Sequence, residues 1–158
     1  MGNCSTKPAD NTKSNNSFIK QSVIPDNLEF KDCPIFIPPI KEGRVIKVYD
    51  GDTIKVVFPI FNTPYKWNCR VNGVDTPELR TRDESEKKNG YYVRDRLREK
   101  ILNKMVKVKC GEFDKYGRLL ADIYIDKLHV NKWLIDRKYA FAYDGGTKKS
   151  WKDAPYID

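Results

Sequence analysis

The chain is poor in the residues that build soft-metal and imidazole sites. His129 is its single histidine, and Cys4, Cys33, Cys69 and Cys110 contain no C-x-x-C pair. A structural zinc centre therefore lacks ligands, and chemistry that needs two imidazoles is argued against. No apolar run is long enough to span a membrane, and the polar first twenty residues lack the hydrophobic stretch of a secretory signal. These absences predict an intracellular, cytoplasmic protein with reduced thiols.

What is present is charge and aromatic surface. The 158 residues suffice for one domain with tails. Thirty Lys and Arg against 22 Asp and Glu give a net charge of +8, with an aromatic share of 12%. That balance favours a polyanionic partner, either nucleic acid or an acidic membrane face, and charge alone does not choose between them.

Composition divides the chain. Residues 1–22 are rich in Asn, Ser, Thr and Lys and too polar to offset the entropy of ordering, which predicts a disordered tail. Residues 23–40 form a Pro-rich strap whose Leu28, Phe30, Ile35, Phe36 and Ile37 are expected to lie on a domain spanning 41–147, and 148–158 reads as a C-terminal tail. Within the domain, residues 43–49 and 53–58 are β-branched strands separated by an Asp-Gly turn. A third strand is expected over 65–74 after a loop marked by Pro59 and Pro64, stopped by Pro77. Val93, Leu97, Ile101 and Met105 recur every four residues, predicting an amphipathic helix over 84–104 with a basic outer face. Two more alternating strands flank Asp114-Lys115-Tyr116-Gly117-Arg118, and a short helix follows at 130–137. The order βββ-α-ββ-α is that of an OB-fold, an α+β, mainly β class with a five-stranded barrel and two helices.

Two carboxylate clusters stand out, Asp50-Gly51-Asp52-Thr53 and Val74-Asp75-Thr76-Pro77-Glu78, with Arg70 between them and Arg118 beyond. A hard cation takes oxygen ligands from separate segments, and a phosphate under attack needs fixed positive charge. Each cluster alone also reads as a turn: Asp50-Gly51 as a hairpin and Asp75-Thr76-Pro77 as an Asx turn. An EF-hand reading fails, because Lys55 stands where the loop needs glycine and Phe61 where it needs its terminal glutamate.

Taken together, Asp50-Gly51-Asp52-Thr53, then Arg70 to Glu78, then Asp114 to Arg118 resemble the three signature segments of the staphylococcal nuclease (thermonuclease) family, over about residues 43–143. The resemblance implies a Ca²⁺-dependent endonuclease acting on DNA and RNA and leaving 3′-phosphate ends. It implies that Asp52 and Asp75 ligate Ca²⁺ with the Thr76 carbonyl, and that Glu78 handles the attacking water. Arg70 and Arg118 would then hold the phosphate through forked hydrogen bonds. Lys115, Tyr116 and Tyr143 match positions that contact the nucleotide. The family's third helix is expected to be reduced or absent, since Gly145, Gly146 and Pro155 interrupt the short remainder. The rival reading is a catalytically silent OB-fold module that binds nucleic acid or protein; the intact carboxylates and arginines argue against it.

The N-terminus carries a separate signal. Met1-Gly2-Asn3-Cys4-Ser5-Thr6 fits M-G-x-x-x-[ST], the N-myristoylation pattern, with Cys4 placed for palmitoylation. An acylated tail before this domain is similar to the membrane-anchored Ca²⁺-dependent nucleases of plants, and it would put a monomer on a cytoplasmic membrane face. A plain unmodified start is the alternative for so short a motif.

Overall fold

The computed structural model describes residues 24–152, so the tail with its acylation candidates Gly2 and Cys4 lies outside the described residues. The chain divides at Pro34 and Ile35 into two units. The described part of the first holds a 3-10 turn, Phe30–Asp32, and presents Leu28 and Phe30 to solvent.

The second unit runs β1 (Glu42–Val48), β2 (Thr53–Ile60), β3 (Thr63–Val71), β4 (Val74–Asp75), α1 (Glu84–Ile101), β5 (Met105–Phe113), β6 (Leu119–Ile125), β7 (Leu128–His129), α2 (Val130–Asp136) and β8 (Phe141–Ala142). The main sheet has the order β3-β2-β1-β5-β6-β7, and a parallel pairing of β3 with β6 closes β1, β2, β3, β5 and β6 into a barrel. Closure removes the free edge of β3 from Cys69 to Val71. This is the five-stranded OB-fold expected from element order, with two α-helices, and among the described residues no third α-helix follows α2. No helix among the described residues is long and apolar enough to cross a membrane.

Alternation explains the core. Ile54, Val56 and Phe58 from β2, Cys69 and Val71 from β3, Val106 and Val108 from β5, and Leu119, Ala121 and Ile123 from β6 all point inward and are buried. Val93, Leu97 and Ile101 of α1 complete that core at a spacing of four. Asp83 starts the helix by accepting the Ser85 and Glu86 amides at 2.9 and 3.0 Å. The periodicity overshoots at its end: Leu102 caps the helix, Asn103 turns left-handed at φ 60°, and Met105 opens β5 exposed.

Four other expectations change. The stretch around Pro59 and Pro64 is a hairpin, not a loop: β2 and β3 run to a two-residue turn at Phe61 and Asn62, both at positive φ, with the prolines opposite one another. Proline is tolerated there because β1 pairs with β2 only as far as Val57 and β6 reaches β3 only from Cys69, so neither missing N–H is needed. The third strand ends at Val71, and a turn at Asn72 and Gly73 leads into β4. In the strap, Ile35, Phe36 and Ile37 are exposed instead of packed; Pro38 is buried and Ile40 lies against the core. At the other end the packed chain continues past residue 147, since Trp151 is buried with its ring 4.2 Å from that of Phe141.

Buried polar groups fix α2. Asn131, only 4% exposed, accepts the Ile123 amide at 2.9 Å and donates to the carbonyls of Asn72 and Ala121 and to Asp122. One amide thus ties the helix to β6 and to the turn before β4.

Candidate active site

Register gathers the functional side chains at the point where the barrel closes. Arg70 lies opposite Thr53 on one side and beside Leu120 on the other, so β3 presents its guanidinium between the end of the first carboxylate turn and the start of β6. The turn is built locally: one oxygen of Asp50 accepts the amides of Asp52 and Thr53 at 3.1 and 2.6 Å. Asp50 is thus the turn residue. Burial, and then the charge of Asp52, push its carboxyl up to about 6.

Asp52 is 8% exposed and engaged at both oxygens. Oδ2 pairs with Arg70 and Oδ1 accepts the Thr53 hydroxyl at 2.9 Å. The Thr53 hydroxyl accepts in turn from Arg118 Nη1 at 3.2 Å. Arg70 also donates to the Val74 carbonyl at 2.9 Å, and its guanidinium stands 5.8 Å from the Tyr143 ring centroid. Burial opposes the charge of Arg70, but Asp52, followed by Asp75 and Asp50, outweighs it and raises the pKa. Three carboxylates therefore act on one arginine.

Arg118 is held from the hairpin between β5 and β6. Asp114 accepts the Arg118 Nε at 2.7 Å through one oxygen and the backbone amides of Tyr116 and Arg118, both at 2.9 Å, through the other. Burial would raise the Asp114 carboxyl, but the bonds from Arg118 and Tyr116 hold it below its ordinary value. Lys115 and Tyr116 project from the same turn, with Arg118 5.6 Å from the Tyr116 ring centroid.

The second cluster is placed by contacts distant in sequence. A Cβ on Gly51 would come within 2.7 Å of the Thr76 side chain, so only glycine lets the two clusters meet this closely. A Cβ on Gly90 would lie 2.9 Å from the Pro77 carbonyl and from Leu79, so glycine also lets α1 press against the segment carrying Glu78. The Glu78 amide donates to Glu86 of the same helix at 3.1 Å. Asp75, at the end of β4, is 2% exposed and Thr76 4%, so both lie beneath the cleft wall while Glu78 opens into it.

Lys148, absent from the sequence-based set, binds both carboxylates. Its Nζ lies 2.8 Å from Asp75 Oδ1 and 2.7 Å from Glu78 Oε1. The first contact is an ion pair with a buried oxygen, for which the ammonium is the one close cationic partner among the described residues. Burial opposes the lysine charge, and the two carboxylates overcome it and raise the pKa. Nothing in the local sequence around Lys148 marks it.

The result is a cleft of ≈ 530 Å³ lined by the carboxylates of Asp50, Asp52 and Glu78, by Arg70, Arg118, Lys115 and Lys148 interleaved with them, and by Tyr116 and Tyr143. Seven of the nine predicted site residues in the described chain line this cleft, and the other two, Asp75 and Thr76, are buried beside Glu78. An oxygen-ligated cation fits these residues. Asp75 offers a buried oxygen whose partner is already a cation, the Lys148 ammonium at 2.8 Å, and the acidic groups are all carboxylates. No group of three or more His, Cys, Asp and Glu side chains forms a cation cage among the described residues, so any ion there would need backbone, water or substrate oxygens as well.

Residues 68–156 match the model of the staphylococcal nuclease homologue family, more than half of the chain. The chain belongs to this family. Similar proteins include an uncharacterized endonuclease of Escherichia coli O157:H7, 29% identical over 103 residues, 65% of this chain and 61% of that protein. Endonuclease YncB of Bacillus subtilis is 32% identical over 108 residues, 65% of this chain and 49% of its own. The thermonuclease of Staphylococcus hyicus is 33% identical over 101 residues, 63% and 57% respectively. The chain thus spans less than two thirds of the length of these relatives. Family membership agrees with the barrel and with the segments Arg70 to Glu78 and Asp114 to Arg118, which both lie inside the matched region.

Proposed function

We propose that this chain is a Ca²⁺-dependent endonuclease that hydrolyses DNA and RNA to products with 3′-phosphate ends. The observation that carries this reading is the cleft in which two fixed arginines face carboxylates held on two separate turns. Asp52, Asp75 and the carbonyl of Thr76 would hold the cation, which when bound supplies positive charge to a phosphate oxygen. Glu78 takes a proton from the attacking water, whose oxygen bonds to phosphorus as the bond to the 5′ oxygen breaks and that oxygen takes up a proton from solvent. Arg70 and Arg118 donate to the phosphate oxygens as their negative charge grows, and their own carboxylate partners keep them from having to reorganise. Lys115, Tyr116 and Tyr143 border a neighbouring cavity of ≈ 430 Å³ behind the two arginines, suited to a nucleotide's ring and sugar. The relatives named endonuclease and thermonuclease support the same activity.

The test is cleavage of single-stranded DNA and RNA with Ca²⁺ or with chelator, beside Glu78→Gln and Arg118→Ala. Wild type should cleave only with Ca²⁺, and each variant should lose at least ~2 kcal/mol of transition-state stabilisation. Equal activity in chelator would reject the cation's role, and nucleic-acid binding without any cleavage would return the silent binding module. The acylated N-terminus belongs to the same proposal, supported by the Gly2 and Cys4 pattern alone.

A further inference from the structure

Lys148 sits where a positive ion is wanted. Its ammonium touches Asp75, a proposed cation ligand, and Glu78, the proposed water-handling group. The segment that carries it is anchored on both sides. Tyr143 donates its amide to Gly73 and its hydroxyl to the Gly146 carbonyl at 3.0 and 3.1 Å, and beyond the lysine Trp151 is buried against Phe141. Between these anchors the lysine side chain is 47% exposed, so its flexible stem has open space into which the ammonium can withdraw. A divalent ion on Asp75 would meet this like charge on the same oxygen, in a position with little water to screen it.

From this geometry we infer that Lys148 is a tethered counter-cation that exchanges with the divalent ion: it holds Asp75 and Glu78 together until the ion binds, and binding displaces it. The inference rests on the proposed cation site. Its consequence is a reduced apparent affinity, because the ion binds only the fraction of molecules in which Lys148 has withdrawn.

Calorimetric titration of CaCl₂ into the full chain tests this, together with thermal melting in chelator and in excess Ca²⁺. Lys148→Ala should bind Ca²⁺ roughly five- to tenfold more tightly than wild type. It should also melt a few degrees lower in chelator, a difference that disappears at saturating Ca²⁺. Lys149→Ala is the control, since it removes the same charge from a side chain that lies over Phe141, and it should match wild type in both measurements. Unchanged or weaker binding by Lys148→Ala overturns the inference, as does equal tightening by Lys149→Ala. If wild type takes up Ca²⁺ and Lys148→Ala binds no better, the exchange alone fails; if no version takes up Ca²⁺, the cation site fails with it.

Discussion

The two walls of the cleft hold their residues by opposite means. On one wall, Asp50 to Thr53 and Asp114 to Arg118 are tied by hydrogen bonds that close within five residues, and the two segments meet through one Thr53 hydroxyl. On the other, Asp75 to Glu78 rely on a helix and on a lysine seventy residues further along, at glycine contacts that tolerate no side chain. A wall made of short loops loses little entropy on forming and is insensitive to what happens elsewhere. The other inherits every shift of α1 and of the C-terminal segment. The proposed catalytic geometry should therefore be easiest to damage from residues outside the cleft.

The largest effect should come from Gly90→Val. Overpacking at this contact should cost about 1–3 kcal/mol of stability, and moving Glu78 by about an ångström should lower kcat roughly a hundredfold. Denaturant melts and cleavage rates measured side by side would check both, and a folded Gly90→Val enzyme of full activity would remove the contrast between the walls. Asp114→Asn probes the local wall and should cost about tenfold in kcat/KM, since Arg118 keeps its charge but loses its charge-assisted anchor. Its pH behaviour is the sharper readout. Asp114 has a depressed pKa when folded, so its stabilisation is present above the unfolded value of about 3.9 and is lost as pH falls through the folded one. The stability gap between wild type and Asp114→Asn should accordingly be full near neutral pH and close in acid. Glu86→Ala should be the mildest change, about threefold in kcat, because it removes one exposed acceptor from the Glu78 amide.

The same contrast explains what could be read in advance. Strands, the Asp50 turn, the hairpin holding Arg118 and the inward-facing core residues follow from periodicity and turn chemistry, which act over a few residues. Asp52, Arg70 and Arg118 share a site because strand register carries that local order around a closed barrel. Lys148 and the roles of Gly51, Gly90 and Glu86 were not legible, because each depends on which distant surface the residue meets. The hairpin at Phe61 was missed for a related reason: two prolines signal a loop unless the absence of neighbouring strands at that height is known. In the strap, apolar composition suggested burial, but Ile35, Phe36 and Ile37 face solvent.

Cys69 gives the barrel an internal reporter. It lies directly across the β3 to β6 seam from Leu119, is fully buried, and has its thiol pushed by burial up to about 12. An alkylating reagent needs both access and thiolate, and the closed seam denies both. The rate at which Cys69 becomes labelled therefore measures how often the barrel unzips at the strand that carries Arg70, on a clock independent of catalysis.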